Sequence, residues 1–135
     1  MGVIVADLDY FKQVNDTYGH SAGDAVLQEA ARRMRHALRP YDRIGRYGGE
    51  EFLITAPGCS WNDAMAVAER IRVAISAEPV KSLSGLIPVT VSLGVAIGGN
   101  CMGEDAATLI AAADEALYRA KKAGRNRVEF LQRNV

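Results

Sequence analysis

Asp7, Glu50 and Glu51 are acidic residues in places that a solvated surface does not readily explain. Asp7 ends the apolar run Gly2-Val3-Ile4-Val5-Ala6, which reads as a buried central strand. Glu50 and Glu51 directly follow Gly48-Gly49, a pair that supplies the positive φ angles of a two-residue hairpin turn. With that hairpin beside the first strand, Asp7 and Glu50 converge at one end of a sheet. Carboxylates that close repel each other unless a cation lies between them. Oxygen ligands of this kind suit Mg2+, which binds through one or two carboxylates and the phosphates of a substrate. The paired glycines leave space for a nucleotide to approach the backbone. Taken singly, Asp7 also fits a strand-end carboxylate capping the next helix, and Glu50 and Glu51 fit solvated charge beside a hairpin. The combination favours the metal.

Lys12, Asn15, Asp16 and Asp24 lie on the segments just after Asp7. Lys12 can meet a phosphate as a point charge. Asn15 and Asp24 together can read a guanine edge, because a carboxylate accepts from the ring N–H and exocyclic amine that guanine has and adenine lacks. A surface lysine, an Asn in a turn and an aspartate at a helix N-terminus are the alternatives. Lys121 and Arg125 stand near the end of the last helix, where cations complement the helix dipole. Dipole complementarity is the better account of Arg119 and Lys122, and a phosphate clamp the sharper one for Lys121 and Arg125.

The elements that must position these groups follow from periodicity. Residues 10–18 carry Phe11 and Val14 at helical spacing, and Gly19 stops them. Residues 21–38 form a long helix with the stripe Leu27, Ala31, Met34 and Leu38, followed by Pro40. Strands follow at about residues 42–47 and 51–56. Ser60 with Asp63 resembles a capping box, opening a helix with the stripe Ala64, Val67, Ala68, Ile71 and Ile75. Residues 79–88 read as a loop with room for a small hairpin. Val89, Val91, Leu93, Val95 and Ile97 alternate with smaller residues, a strand pattern of period two. Leu109, Ala113, Leu117 and Ala120 mark the last helix, ended by Gly124, and residues 128–131 form a closing strand. The order β-α-α-β-β-α-β-α-β predicts an α+β domain, with helices packed on a central, mainly antiparallel sheet related to the split βαβ plan.

The chain has 135 residues, enough for one domain with a real core and too few for two. Sixteen basic and 16 acidic residues leave zero formal net charge, which argues against a general nucleic-acid binder. Cys59 and Cys101 are far apart and have no zinc spacing, so they read as reduced, inert thiols. No apolar run approaches the length that crosses a bilayer. A cytoplasmic domain without direct membrane contact is the expectation.

The motifs resemble the GGDEF domain family of diguanylate cyclases. Asp7-Leu8-Asp9-Tyr10-Phe11-Lys12-Gln13-Val14-Asn15-Asp16, then Gly19-His20 and Gly23-Asp24, is similar to the long signature of that family. Arg46-Tyr47-Gly48-Gly49-Glu50-Glu51-Phe52 resembles its naming motif in the GGEEF form. Residues 90–96 and 118–126 resemble two further family stretches, in the right order. The resemblance implies a nucleotidyl cyclase-like fold of the ferredoxin-like type. It implies that Asp7 and Glu50, helped by the Leu8 carbonyl, ligate Mg2+ (or Mn2+). It further implies that Lys12, Lys121 and Arg125 hold the triphosphate, that Asn15 and Asp24 select guanine, and that Gly48 and Gly49 border the substrate. Glu51 is implied to assist deprotonation of the attacking hydroxyl. Two domains, each holding one GTP, then face each other as a homodimer and form cyclic di-GMP with release of pyrophosphate.

Arg39-Pro40-Tyr41-Asp42 resembles the family's Arg-x-x-Asp inhibitory site, where cyclic di-GMP binds. Arginine pairs bidentately with the O6 and N7 acceptors of guanine. Arg70, on the following helix, is a weaker candidate for a supporting contact. Family members begin with a helix and an Asp-x-Leu-Thr segment that this chain of residues 1–135 lacks, so reduced stability and weak activity are expected of it alone. A sensor or receiver module is expected in the parent protein. The alternative function is a catalytically weak or inactive module that serves as a receptor for GTP or cyclic di-GMP. A cyclase making an adenine-containing dinucleotide and a polymerase-like palm are further alternatives.

Overall fold

The computed structural model describes residues 1–98 and 106–131. In chain order the elements are β1 (Gly2–Leu8), α1 (Phe11–Tyr18), α2 (His20–Ala37), β2 (Arg43–Arg46) and β3 (Glu51–Ala56). They continue with α3 (Trp61–Ser76), β4 (Val80–Ser82), β5 (Gly85–Ile87), β6 (Val91–Ile97), α4 (Ala106–Lys122) and β7 (Val128–Leu131). Five strands form one sheet in the order β2-β3-β1-β6-β7. Every pairing in it is antiparallel except β6 with β7. The expected α+β order holds, with a β4–β5 hairpin inserted where a loop with room for a small hairpin was expected.

β1 is central and buried along its whole length, and it runs two residues past its apolar run to include Asp7 and Leu8. Its even residues Ile4, Ala6 and Leu8 join Phe52, Ile54, Leu93 and Val95 in the larger core, beneath α2 and α3. Its odd residues Val3 and Val5 pack with Ala96 and the α4 residues Leu109, Ala113 and Leu117. Asp7 continues that odd-numbered face, because side chains alternate along a strand.

The period-two pattern of the sixth strand does not mark a solvated face. β6 is buried on both faces, because its small residues Ser92, Gly94 and Ala96 face a covering helix. A Cβ at Gly94 would collide with the Ala113 carbonyl oxygen and the Leu117 amide nitrogen. Glycine there lets α4 lie directly on the sheet.

The stripe expected on α2 is displaced: Val26 and Ala30 are fully buried with Leu27 and Met34, while Ala31 and Leu38 are only partly buried. The α3 stripe is buried as expected. Ser60 and Asp63 close a reciprocal capping box, with Asp63 N–H donating to Ser60 Oγ at 3.2 Å and Ser60 N–H to Asp63 Oδ2 at 3.3 Å. Cys59 is buried, and burial pushes its thiol pKa up, as expected of an inert thiol. Cys101 lies outside the described residues. Among the described residues, no helix is long and apolar enough to cross a membrane.

Candidate active site

Asp7 sits between Glu51 of β3 and Ser92 of β6 in the strand register. Its side chain is 5% exposed, and its Oδ2 accepts a hydrogen bond from Lys121 Nζ of α4 at 2.7 Å. Burial pushes the Asp7 carboxyl pKa up. The Lys121 hydrogen bond and charge pull it back, but the charges of Glu50 and Asp9 push it up again, and the net direction is upward. Glu51 is raised by burial and then by the charges of Asp7 and Asp114. Asp114, on α4 two turns before Lys121, is raised by burial too. Asp7, Glu51 and Asp114 therefore share the influence of a single nearby ammonium, Lys121. Asp114 is thus a third carboxylate in this charge cluster, and no motif marks it. Its only signal is a spacing of seven from Lys121, which places both on one helix face.

Glu50 is brought to this end of β1 by its backbone: the Leu8 N–H donates to the Glu50 carbonyl at 3.2 Å. The connection it belongs to differs from the expected turn. The Tyr47 N–H donates to the Glu51 carbonyl at 2.8 Å, which closes a loop of Gly48, Gly49 and Glu50. Neither Gly48 nor Gly49 has a positive φ. The two-residue turn with left-handed glycines is thus corrected to a longer loop that needs no such geometry. A Cβ on Gly49 would meet nothing within 4 Å, and one on Gly48 would meet only the Glu51 side chain, nearest at 3.8 Å. Nothing in the chain's own packing demands glycine there, and the space it leaves opens outward.

Lys12, Asn15, Asp24, Gly49 and Glu50 line one pocket of about 340 Å³, together with Phe11, His20, Leu27 and Arg46. The two helices that supply them meet closely because Gly23 has no side chain: a Cβ there would collide with Asn15 Oδ1. His20 and Arg46 were not singled out from the sequence. His20 opens α2 immediately after Gly19, and Arg46 Nη2 donates to the Gly49 carbonyl at 2.6 Å, bracing the glycine loop. Lys121 and Arg125 do not line this pocket. Lys121 is engaged with Asp7, and the Arg125 guanidinium stacks over the Tyr10 ring, 4.7 Å from its centroid.

Arg39 and Asp42 are joined to each other. Arg39 Nη2 donates to Asp42 Oδ1 at 2.9 Å, Nε reaches both carboxylate oxygens at 3.1 and 3.2 Å, and the Arg39 N–H donates to Oδ2 at 2.8 Å. Nη2 also donates to the Pro57 carbonyl at 3.1 Å, and the guanidinium lies over the Tyr41 ring. The carboxylate holds the Arg39 pKa further above its ordinary value. Arg70 stands apart: its Nε and Nη2 donate to the Ala37 carbonyl at the end of α2, at 3.1 and 2.8 Å. Because the Asp42 side chain has no exposure, Arg39→Ala leaves a buried carboxylate without its ion partner. A loss of about 3 kcal/mol is expected, read as a lower midpoint in urea, and Arg39→Ala with Asp42→Asn should recover part of it. Unchanged stability of Arg39→Ala would show that the pair is not coupled to folding.

The donor set at β1 fits a hard cation through carboxylate oxygens. Among the described residues no group of three or more His, Cys, Asp or Glu side chains is arranged to hold a metal by itself. Two carboxylates such as Asp7 and Glu50 are the smaller protein contribution that a hard divalent cation takes when substrate phosphates complete its shell. A buried carboxyl raised by neighbouring acids is a site where an added cation relieves a standing electrostatic cost.

A family model described as diguanylate cyclase, GGDEF domain, matches residues 1–127. Diguanylate cyclase A of Treponema denticola is 42% identical over 135 residues, covering 100% of this chain and 36% of that protein. The response regulator PleD of Caulobacter vibrioides is 42% identical over 131 residues, covering 95% of this chain and 28% of the relative. The chain thus spans about a third of the length of these curated relatives. The GGDEF domain of DgcB from Caulobacter crescentus, solved in complex with c-di-GMP, superposes with a TM-score of 0.88 at 37% identity, over 96% of this chain and 76% of that one. The active GGEEF domain of a diguanylate cyclase from Vibrio cholerae gives 0.87 at 31% identity, over 98% of this chain and 83% of that one. This chain belongs to the GGDEF family of diguanylate cyclase domains.

Proposed function

We propose that this domain condenses two GTP molecules into cyclic di-GMP, with release of two pyrophosphates, and that Mg2+ is held by Asp7 and Glu50 with the Leu8 carbonyl. The observation that carries this is Asp7: a nearly inaccessible carboxyl, raised by burial and by Glu50 and Asp9, tied to one lysine. The bound cation would neutralise charge developing on the reacting phosphate. Asn15 and Asp24 read the guanine edge, and the pocket that contains both also contains Lys12 for the phosphates. Lys121 is 35% exposed and bonded to Asp7 alone among the described contacts, so it can exchange that carboxylate for a triphosphate oxygen. Arg125 supplies a second cation in the turn just after the same helix. Glu51 takes the proton of the attacking 3′-hydroxyl as the O3′–Pα bond forms and the bond to pyrophosphate breaks. Its raised pKa makes it a stronger base than a solvated carboxylate.

Each domain presents one such pocket, so the reaction needs two copies face to face. The specific rate of GTP consumption should therefore rise with protein concentration in the dilute range and vanish with EDTA. A rate per protein that is constant on dilution through complete dissociation would oppose the two-copy arrangement. Base choice is tested by Asp24→Ser. Discrimination against ATP should fall about a hundredfold, because the ring N–H and exocyclic amine of guanine lose their charged acceptor. Unchanged preference for GTP would mean that Asp24 is not the reader.

Arg39 with Asp42 is proposed as a product site. Asp42 and Pro57 engage Nε and Nη2, and none of the described contacts uses Nη1, which remains for an acceptor on a guanine. Arg70 is close to the same end of α2 and is the weaker contributor. Inhibition is best compared between the parent and the Arg39→Ala/Asp42→Asn pair, which avoids the buried lone carboxylate. The name of PleD as a response regulator supports a regulatory module in the parent protein. A receptor that binds GTP or cyclic di-GMP without turnover is the competing reading, favoured by binding without product.

A further inference from the structure

Asp9 is buried, and no step above uses it. Its carboxylate is fully engaged. Oδ1 accepts from Ser92 Oγ at 2.7 Å, and Oδ2 accepts from Thr90 Oγ1 at 2.7 Å and from the Asn126 backbone N–H at 3.0 Å. The Asp9 N–H also donates to the Thr90 carbonyl at 2.9 Å. The bonds to residues 90 and 92 join chain segments that are already neighbours in the sheet. The bond to Asn126 instead spans 117 positions and grips the turn between α4 and β7.

That turn is conformationally costly. Arg125 has φ 65° and Asn126 has φ 47°, consecutive residues in the left-handed region. Among the described residues the only other non-glycine with positive φ is Tyr10, at 57°, which directly follows Asp9. Backbone of this kind persists only where its surroundings hold it. Here the Asn126 N–H is bonded to the Asp9 carboxylate, and its neighbour Arg125 places its guanidinium 4.7 Å from the ring centroid of Tyr10, the residue after Asp9.

We propose that Asp9 is a positioning residue, which fixes the α4–β7 turn through the Asn126 N–H and so aims Arg125 at the triphosphate. The proposal rests on the phosphate role assigned to Arg125 above. Asp9 touches neither nucleotide nor reacting atoms. A long flexible side chain binds an anion more tightly when its root is fixed beforehand, because less freedom is lost on binding. An ionised carboxylate suits the task, since it is an acceptor only and can serve three donors at once.

The test is GTP affinity in EDTA, measured by calorimetry on the intact domain, for Asp9→Ala, Asp9→Asn, Arg125→Ala and the double variant Asp9→Ala/Arg125→Ala. Asp9→Ala should weaken binding about tenfold, a moderate loss for one misplaced cation. Asp9→Asn should stay within about threefold of the parent, because its oxygen can keep Asn126 while its amide donates to the Ser92 hydroxyl. The double variant should bind no worse than Arg125→Ala alone, since Asp9 then has nothing left to position. Additive losses, or parent-like affinity in Asp9→Ala, would overturn the proposal. Should Asp9→Ala fail to melt cooperatively, Thr90→Val carries the test, because Thr90 holds the same Oδ2. Its smaller loss should likewise disappear in the Arg125→Ala background, and additivity there would overturn the proposal too. If Arg125→Ala itself leaves GTP affinity intact, the phosphate role of Arg125 fails and this inference with it. If Arg125→Ala weakens binding and Asp9→Ala does not, only the inference about Asp9 fails.

Discussion

Replacing Asp7 with Asn is expected to cut cyclic di-GMP formation about a thousandfold, because the cation it helps hold supplies several kcal/mol of charge stabilisation in the transition state. The metal-free domain should meanwhile be at least as stable as the parent. The sign follows from the direction of the Asp7 shift. Its folded-state pKa lies above the ordinary 3.8, so the folded state binds the proton more tightly than the unfolded chain. The stability lent by that proton is present at low pH and lost as pH rises through the folded value. At neutral pH the ionised carboxylate therefore counts against folding, and a neutral amide of the same shape removes that cost. Lys121 loses its partner, but at 35% exposure it can turn to water. Melting in EDTA at neutral pH and turnover in Mg2+ check the two halves separately. Full turnover by Asp7→Asn would remove the metal role. A marked fall in its melting temperature would mean that the Lys121 ion pair outweighs the burial of Asp7.

Gly94→Ala should cost about 3 kcal/mol, near the upper end for overpacking, and lower the midpoint of melting by roughly 10 °C. The added methyl group would press on the Ala113 carbonyl and the Leu117 N–H, both backbone atoms of α4 that no rotamer change can move aside. The helix must lift from β6 as a body. α4 carries Lys121 and Asp114, so the lift also separates the ammonium from Asp7. Loss of stability and loss of nucleotide affinity should appear together in this variant. A melting curve that matches the parent would show that α4 does not rest on Gly94 as described.

Much of the fold was legible because the apolar patterns are strong. β3, β7 and the buried stripe of α3 lie where periodicity places them, and the capping box names the start of α3. The first strand extended further than its apolar run, because a charged residue can continue a buried strand when a lysine from a distant helix meets it. No local pattern contains that information, since Asp7 and Lys121 are 114 positions apart. The glycine loop was misread for a related reason: a Gly-Gly pair permits left-handed angles but does not require them. The stripe of α2 slipped because Val26 and Ala30, not Ala31 and Leu38, face the sheet.

The site was partly legible. Of the group Lys12, Asn15, Asp16 and Asp24, all but Asp16 line one pocket, and Glu50 of the acidic group joins them there. The motif does not single out His20, and Asp114 and Asp9 meet partners distant in sequence that no local pattern reveals. That Arg39 is already bonded to Asp42 also lay beyond the motif, since Arg-x-x-Asp spacing is compatible with two free side chains or with one closed pair.

Metal-dependent condensation of GTP is tested most directly by chromatography of the nucleotides after the domain is incubated with GTP and Mg2+, run alongside Asp7→Asn. One cyclic di-GMP is expected for every two GTP consumed, with two pyrophosphates released, and about a thousandfold less product from the variant. Tight GTP binding by the parent domain with no dinucleotide formed, or equal product from Asp7→Asn, would contradict metal-dependent condensation.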